Sequence, residues 1–132
     1  MHEKILIVDF GSQYTQLIAR RVRELNVYSE IVPYSKVPAL DDTIKGVILS
    51  GSPCSVTQAD SPNVDEQLFL NQRPVLAVCY GAQLLAKNLG GEVTPSSTRE
   101  YGRANLDTIH SKETIFKGIS DGTQVWMSHG DT

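Results

Sequence analysis

The chain has 132 residues, 12 Lys and Arg against 15 Asp and Glu, a formal charge of -3 and 40% hydrophobic residues, which describes one globular domain and excludes two independent cores. The mild acidity excludes a global basic field for nucleic acid, and no apolar run approaches the roughly 20 residues that span a bilayer. No signal-peptide layout follows Met1, and two cysteines, Cys54 and Cys79, make neither a disulfide framework nor a four-thiolate zinc site; these features point to the cytoplasm and leave a thiol open to a reactive role.

Lys4 to Asp9 is an apolar run bounded by charge and too short for a helix, so it predicts a buried strand of a parallel sheet, ended by Phe10-Gly11-Ser12. From Gln13 to Leu25 the apolar residues Tyr14, Leu17, Ile18, Val22 and Leu25 recur at helical spacing, with Ser12 or Thr15 to cap the start and Asn26 to end it. A second strand is predicted around Val27 to Val32, then a connection punctuated by Pro33 and Pro38, then a third strand from Gly46 to Ser50. Gly51-Ser52-Pro53 breaks that strand. A helix is predicted from about Asn63 to Asn71, a fourth strand from Pro74 to Cys79, and a helix from Tyr80 to Leu89 closed by Gly90-Gly91. Shorter runs at Glu92-Val93, Ala104 to Ile109 and Gln124 to Met127 read as strands. The alternation predicts an α/β fold, a mainly parallel sheet with helices on both faces. Such sheets bind ligands beyond their carboxyl ends, here the loops after Asp9, Ser50, Cys79 and Ser128.

The strongest local signal is Val78-Cys79-Tyr80-Gly81-Ala82-Gln83, a cysteine where an apolar strand turns at once into a helix. A nucleophile elbow of this kind needs small residues two positions either side, and Ala77 and Gly81 supply them. The turn would lift the sulfur above the sheet and set it at a helix N-terminus, whose dipole favours thiolate, while the Tyr80 N–H is placed to bind an oxyanion. Ser50-Gly51-Ser52-Pro53 ends the third strand, which in a doubly wound sheet can lie beside the fourth, and a turn there can present further backbone N–H groups towards Cys79. Cys54 follows a proline in a loop without an elbow and reads as incidental. Asp9 reads as a turn or capping residue, because neither G-x-G-x-x-G nor Gly-Lys-Ser/Thr follows it. Arg99 to Gly102 reads as a charged loop, and Arg20, Arg21 and Arg23 as the wet face of the first helix.

Asp9 to Glu24, Leu49 to Pro53, Val78 to Gln83, Arg99 to Gly102 and Trp126 to Asp131 together closely resemble the amidotransferase domain of the GMP synthetases, a class I glutamine amidotransferase family, over essentially the whole chain. By that resemblance Cys79 is the nucleophile, Tyr80 and Ser52, the latter following Gly51, are backbone oxyanion donors, and Gln83, Ser128, Gly130 and Asp131 cradle L-glutamine. The flavodoxin-like fold of the family is implied over residues 1–132 as a partial domain. The resemblance implies no metal or organic cofactor in this domain. Its implied partner is an ATP-pyrophosphatase domain or subunit that uses ATP and magnesium to turn XMP into GMP, with a possible homodimer through that module. The family commonly has Gly-Gly-Pro where this chain has Gly51-Ser52-Pro53, which puts the local turn in question. The family also completes its triad from a His-Pro-Glu motif, and none occurs here: His2, His110 and His129 lack that context. The sequence therefore reads as stopping short of its base, with His129 as the one alternative base. Two other readings are a cysteine-elbow hydrolase of the PfpI-like type and a catalytically incomplete docking fragment.

Overall fold

The computed structural model describes residues 3–54, 56, 60–93, 95–105, 117–118, 120 and 122–131; in 95–105 and 125–131 the backbone alone is described. It divides into two compact units, Met1–Thr94 and Pro95–Thr132. In the first, β1 (Lys4–Asp9), α1 (Thr15–Glu24), β2 (Tyr28–Pro33), β3 (Ile44–Leu49), β4 (Val75–Ala77) and α2 (Tyr80–Asn88) follow in order. The strands form a four-stranded parallel sheet in the order β2-β1-β3-β4. In the second, β5 (Pro95–Asn105) pairs antiparallel with β6 (Gln124–Asp131).

Helices lie on both faces of the parallel sheet, as the sequence predicts. Leu6 and Val8 point to one face and are fully buried in a cluster with Val47, Leu49, Phe69 and the α2 residues Tyr80 and Leu84. Ser29, in register with Ile5, points to the other face, where its Oγ donates to the Ala19 carbonyl of α1 at 3.1 Å. With Leu6, Ile7 and Val8 all fully buried, β1 is covered on both sides, which is why it reads as an unbroken apolar run.

Several elements depart from expectation. The inward side of α1 is Thr15 and Ala19, flanked by half-buried Ile18 and Val22, whereas Tyr14, Leu17 and Leu25 are exposed. The helix ends as predicted: Asn26 takes φ 63, its N–H donates to Arg23 O at 3.0 Å, and Val27 N–H reaches Val22 O at 3.4 Å. Arg23 is not simply wet, because Nε donates to Ser29 Oγ and Nη2 to Ser29 O, tying α1 to β2. The helix expected over 63–71 is one 3-10 turn, Glu66–Leu68. Asp65 Oδ1 accepts the Gln67 N–H and so delays the start, while Asn71 at φ 64 stops the chain six residues later; Val64 and Phe69 reach the core from irregular backbone instead. Glu92-Val93 is also irregular, following Gly90 at φ 95, and Val93 packs against the core without joining a strand. Arg99 to Gly102, expected as a loop, lies within β5, and Ser128, expected to precede a loop, lies within β6. Of the strand expected over Ala104 to Ile109, Ala104 and Asn105 lie in β5, and 106–109 lie outside the described residues.

Candidate active site

Parallel strands that all run one way bring their carboxyl ends to one edge, and three of those ends meet here. β4 gives way to α2 across Val78 and Cys79, with no loop between. Cys79 sits at the N-cap with φ 50 and ψ -117, a conformation outside the ordinary regions for a residue with a side chain. Its thiol is free and exposed. Such a turn persists only where its surroundings over-determine it. Val78 N–H donates to Leu49 O at 3.1 Å, Gly81 N–H to Ser50 O at 3.1 Å, and Gln83 N–H to Cys79 O at 3.1 Å. Gly81 meets β3 so closely that a Cβ on it would stand 2.6 Å from both Leu49 Cβ and Leu49 O. The requirement for a small residue two positions after the cysteine is therefore one of space.

The loop after β3 lies against this elbow. A Cβ built on Gly51 would stand 3.8 Å from Cys79 Cβ and 3.7 Å from Ser12 Oγ, so three strand-end loops converge within van der Waals reach. Ser52 does not take a left-handed conformation, so serine is compatible with the turn where the family commonly has glycine. Its hydroxyl accepts the Cys54 N–H at 3.1 Å, a local turn that leaves the backbone N–H as the group with chemistry to offer. Among the described residues no backbone carbonyl accepts the Tyr80 or Ser52 N–H. The Tyr80 side chain is structural. It is buried, its hydroxyl donates to Pro62 O, and its ring meets Phe10 at 5.4 Å between centroids; burial raises its pKa.

Of the residues singled out by sequence, the structure brings Gly51, Ser52, Cys79 and Tyr80 together, with half-buried Gln83 one helical turn beyond Cys79. Ser128, Gly130 and Asp131 lie on β6 of the second unit, where Ser128 is in register with Tyr101 and His129 with Glu100. His2 and His110 lie outside the described residues. Asp9 serves its turn, accepting the Gly11 N–H at 2.8 Å. No group of three His, Cys, Asp or Glu among the described residues could hold a metal ion.

The model of the family described as glutamine amidotransferase class-I matches residues 6–132. The chain belongs to that family. Among curated glutamine amidotransferase relatives, it is 64% identical over 132 residues to the GMP synthase (glutamine-hydrolysing) of Cytophaga hutchinsonii and 58% identical to that of Bacteroides fragilis, in each case over 100% of this chain and 26% of the relative. The chain thus spans about a quarter of the length of these relatives. Among solved structures, a Thermoplasma acidophilum protein described as one of the subunits of a GMP synthase superposes with a TM-score of 0.74 at 32% identity, covering 99% of this chain and 66% of that one. A Thermotoga maritima glutamine amidotransferase shares the fold, with a TM-score of 0.71 at 21% identity over 100% of this chain and 62% of its own.

The sequence does not reveal how the loop beside Cys79 is supported. Thr15 and Ser50 are buried polar residues, 2% and 0% exposed, and Thr15 Oγ1 donates to both Asp9 Oδ1 and the Oγ of Ser50, the residue before Gly51. The sequence shows only a serine closing the apolar run of β3 and a threonine near the start of α1.

Proposed function

We propose that this chain is the glutamine-hydrolysing part of a GMP synthase and releases ammonia from the side-chain amide of L-glutamine through a thioester on Cys79. The observation that carries the reading is a free cysteine at φ 50 on a strand-to-helix elbow, with Gly51 against it, in a class-I glutamine amidotransferase. The Cys79 thiolate attacks the amide carbon, and the Tyr80 and Ser52 N–H groups receive the developing oxyanion, a term worth about 3–4 kcal/mol per donor in comparable sites. The C–N bond then breaks and ammonia leaves with a proton. Water attacks the thioester, giving glutamate and restoring the thiol. Gln83, one helical turn beyond Cys79, holds the amino-acid end of the substrate.

The proton-transferring histidine belongs to a His-Pro-Glu motif in sequence outside these 132 residues, as does an ATP-pyrophosphatase module, fused or separate, that uses ATP and magnesium to convert XMP to GMP. The glutaminase step itself requires no metal or organic cofactor. The setting is cytoplasmic, and a homodimer would form through the synthetase module; no helix among the described residues is long and apolar enough to cross a membrane. Ammonia release from L-glutamine tests the reading, measured on the full-length protein that carries this sequence and on the 132-residue chain. Turnover by the former that is abolished in Cys79→Ala supports it, with little turnover by the latter, since general acid-base help is worth roughly 10²–10⁴-fold. Undiminished hydrolysis by Cys79→Ala would refute it.

A further inference from the structure

Ser50 is the best-anchored residue at the site. Its N–H and its Oγ–H both donate to the Val8 carbonyl, at 3.2 and 2.7 Å, and its own carbonyl accepts the Gly81 N–H at 3.1 Å. Thr15 Oγ1 stands 3.2 Å from Ser50 Oγ and 3.1 Å from Asp9 Oδ1, its single proton shared between the two acceptors. The same Asp9 oxygen accepts the Gly11 N–H at 2.8 Å. Hydrogen bonds thus run from the end of β1, through the first residue of α1, to the end of β3 and on to the elbow. The loop they support follows at once: Gly51 succeeds Ser50, Ser12 Oγ lies 3.7 Å from the Cβ position of Gly51, and Pro53 Cδ lies 3.8 Å from that of Gly11.

We propose that Asp9, Thr15 and Ser50 are positioning residues, a polar relay buried at Thr15 and Ser50 and half-buried at Asp9, that sets the Gly51-Ser52 loop at a fixed height against Cys79. The inference rests on the reading of Ser52 as an oxyanion donor. The physical case is one of direction against energy. A neutral hydrogen bond contributes only about 1 kcal/mol net, so an apolar trio could hold the strand ends nearly as well. Apolar contacts, however, do not fix a peptide plane, and a displacement of about 1 Å at a reacting centre costs on the order of 10²-fold in rate. Ser50 is bonded on its N–H, its hydroxyl and its carbonyl, which leaves the following peptide little freedom to rotate.

Thr15→Val, which keeps the shape of the side chain and removes the hydroxyl, tests this in the full-length protein. The expected result is a fall of at least about tenfold in kcat for L-glutamine with KM within about twofold. Alkylation of Cys79 by iodoacetamide, a displacement that needs no oxyanion donor, should stay within about twofold of the parent, and Thr15→Ser should recover kcat. An unchanged kcat in Thr15→Val would overturn the proposal, as would a loss of alkylation in proportion to kcat, which would mark general disordering. Should Thr15→Val fail to fold, Ser50→Ala makes the same comparison, removing the relay hydroxyl while the backbone bonds of Ser50 to Val8 O and from the Gly81 N–H are retained. Glutamine hydrolysis that survives Cys79→Ala would remove the underlying reading instead, and the two failures are told apart by that control.

Discussion

Replacing Gly81 by alanine probes the elbow where it is tightest. The added Cβ would stand 2.6 Å from Leu49 Cβ and from Leu49 O, about 0.8 Å inside the 3.4 Å at which ordinary contact begins. Gly81 sits in the regular first turn of α2, so the penalty is one of space, with no backbone strain to add. Both obstructing atoms belong to or adjoin the β3 backbone, which is sandwiched between β1 and β4 and cannot yield cheaply. Separating α2 from β3 by that amount would stretch the Gly81 N–H to Ser50 O bond from 3.1 Å beyond useful length. Overpacking costs about 1–3 kcal/mol, and the loss of the Ser50 O bond adds little, because the Gly81 N–H also donates to Val78 O at 3.0 Å. At a slope of about 1.5 kcal/mol per molar urea, the unfolding midpoint should fall by about 0.7–2 M. Glutaminase activity in the full-length protein should fall by about 10²-fold, because the sulfur moves with the helix end. A midpoint within about 0.3 M of the parent, roughly 0.5 kcal/mol, would refute the argument that β3 and the elbow are in rigid contact.

Ser52→Gly should keep glutamine hydrolysis within about tenfold of the parent, since only the local bond to the Cys54 N–H is lost, whereas Ser52→Pro removes the donor and should cost about 10²–10³ in kcat; similar rates for both would show that this N–H is not used. Cys79→Gly and Cys79→Ala should both be inactive, and urea titration should find the glycine variant the more stable by about 1 kcal/mol, because the native φ of 50 suits glycine; equal stability would count against a strained elbow. Burial raises the Tyr80 pKa above its unfolded value near 10.0, so the folded state holds that proton longer and stability falls as pH rises from about 10 through the folded value. Tyr80→Phe should show a shallower alkaline loss above about pH 10, and an identical slope would mean that the phenol does not titrate with unfolding.

The sequence made the parallel sheet legible because β1 and β3 are largely buried, and Val75 and Ala77 of β4 pack against the core, so that these strands appear as short apolar runs, and because Asn26 and Gly90 mark helix ends by their tolerance of positive φ. The elbow was legible for a different reason: a cysteine between a strand and a helix, with Ala77 before and Gly81 after, is rare by chance. Less visible was the irregular stretch around Asp65 and Phe69, where a side-chain acceptor competes with helix for the backbone N–H groups and the core is reached without regular structure. The inward face of α1 was misread because Tyr14 and Leu17 are apolar but exposed, while small Thr15 and Ala19 allow the close approach to β1 and β2. Burial of Thr15 and Ser50 could not be foreseen from polarity, since hydroxyls ordinarily face water and enter a core only when their bonds are met there. Arg99 to Gly102 carries two charges in four residues and looks like a loop, but one antiparallel partner, β6, is enough to hold such a segment extended.

The central claim is that Cys79 is the nucleophile for the glutamine amide. Its most direct test is covalent capture by 6-diazo-5-oxo-L-norleucine, a glutamine analogue that alkylates a nucleophile held at the amide position, followed by peptide mapping of the adduct. One adduct per chain on Cys79, slowed by excess L-glutamine and absent in Cys79→Ala, is the predicted result. Labelling that falls on Cys54, the other exposed free thiol, or that L-glutamine does not slow, would contradict the account.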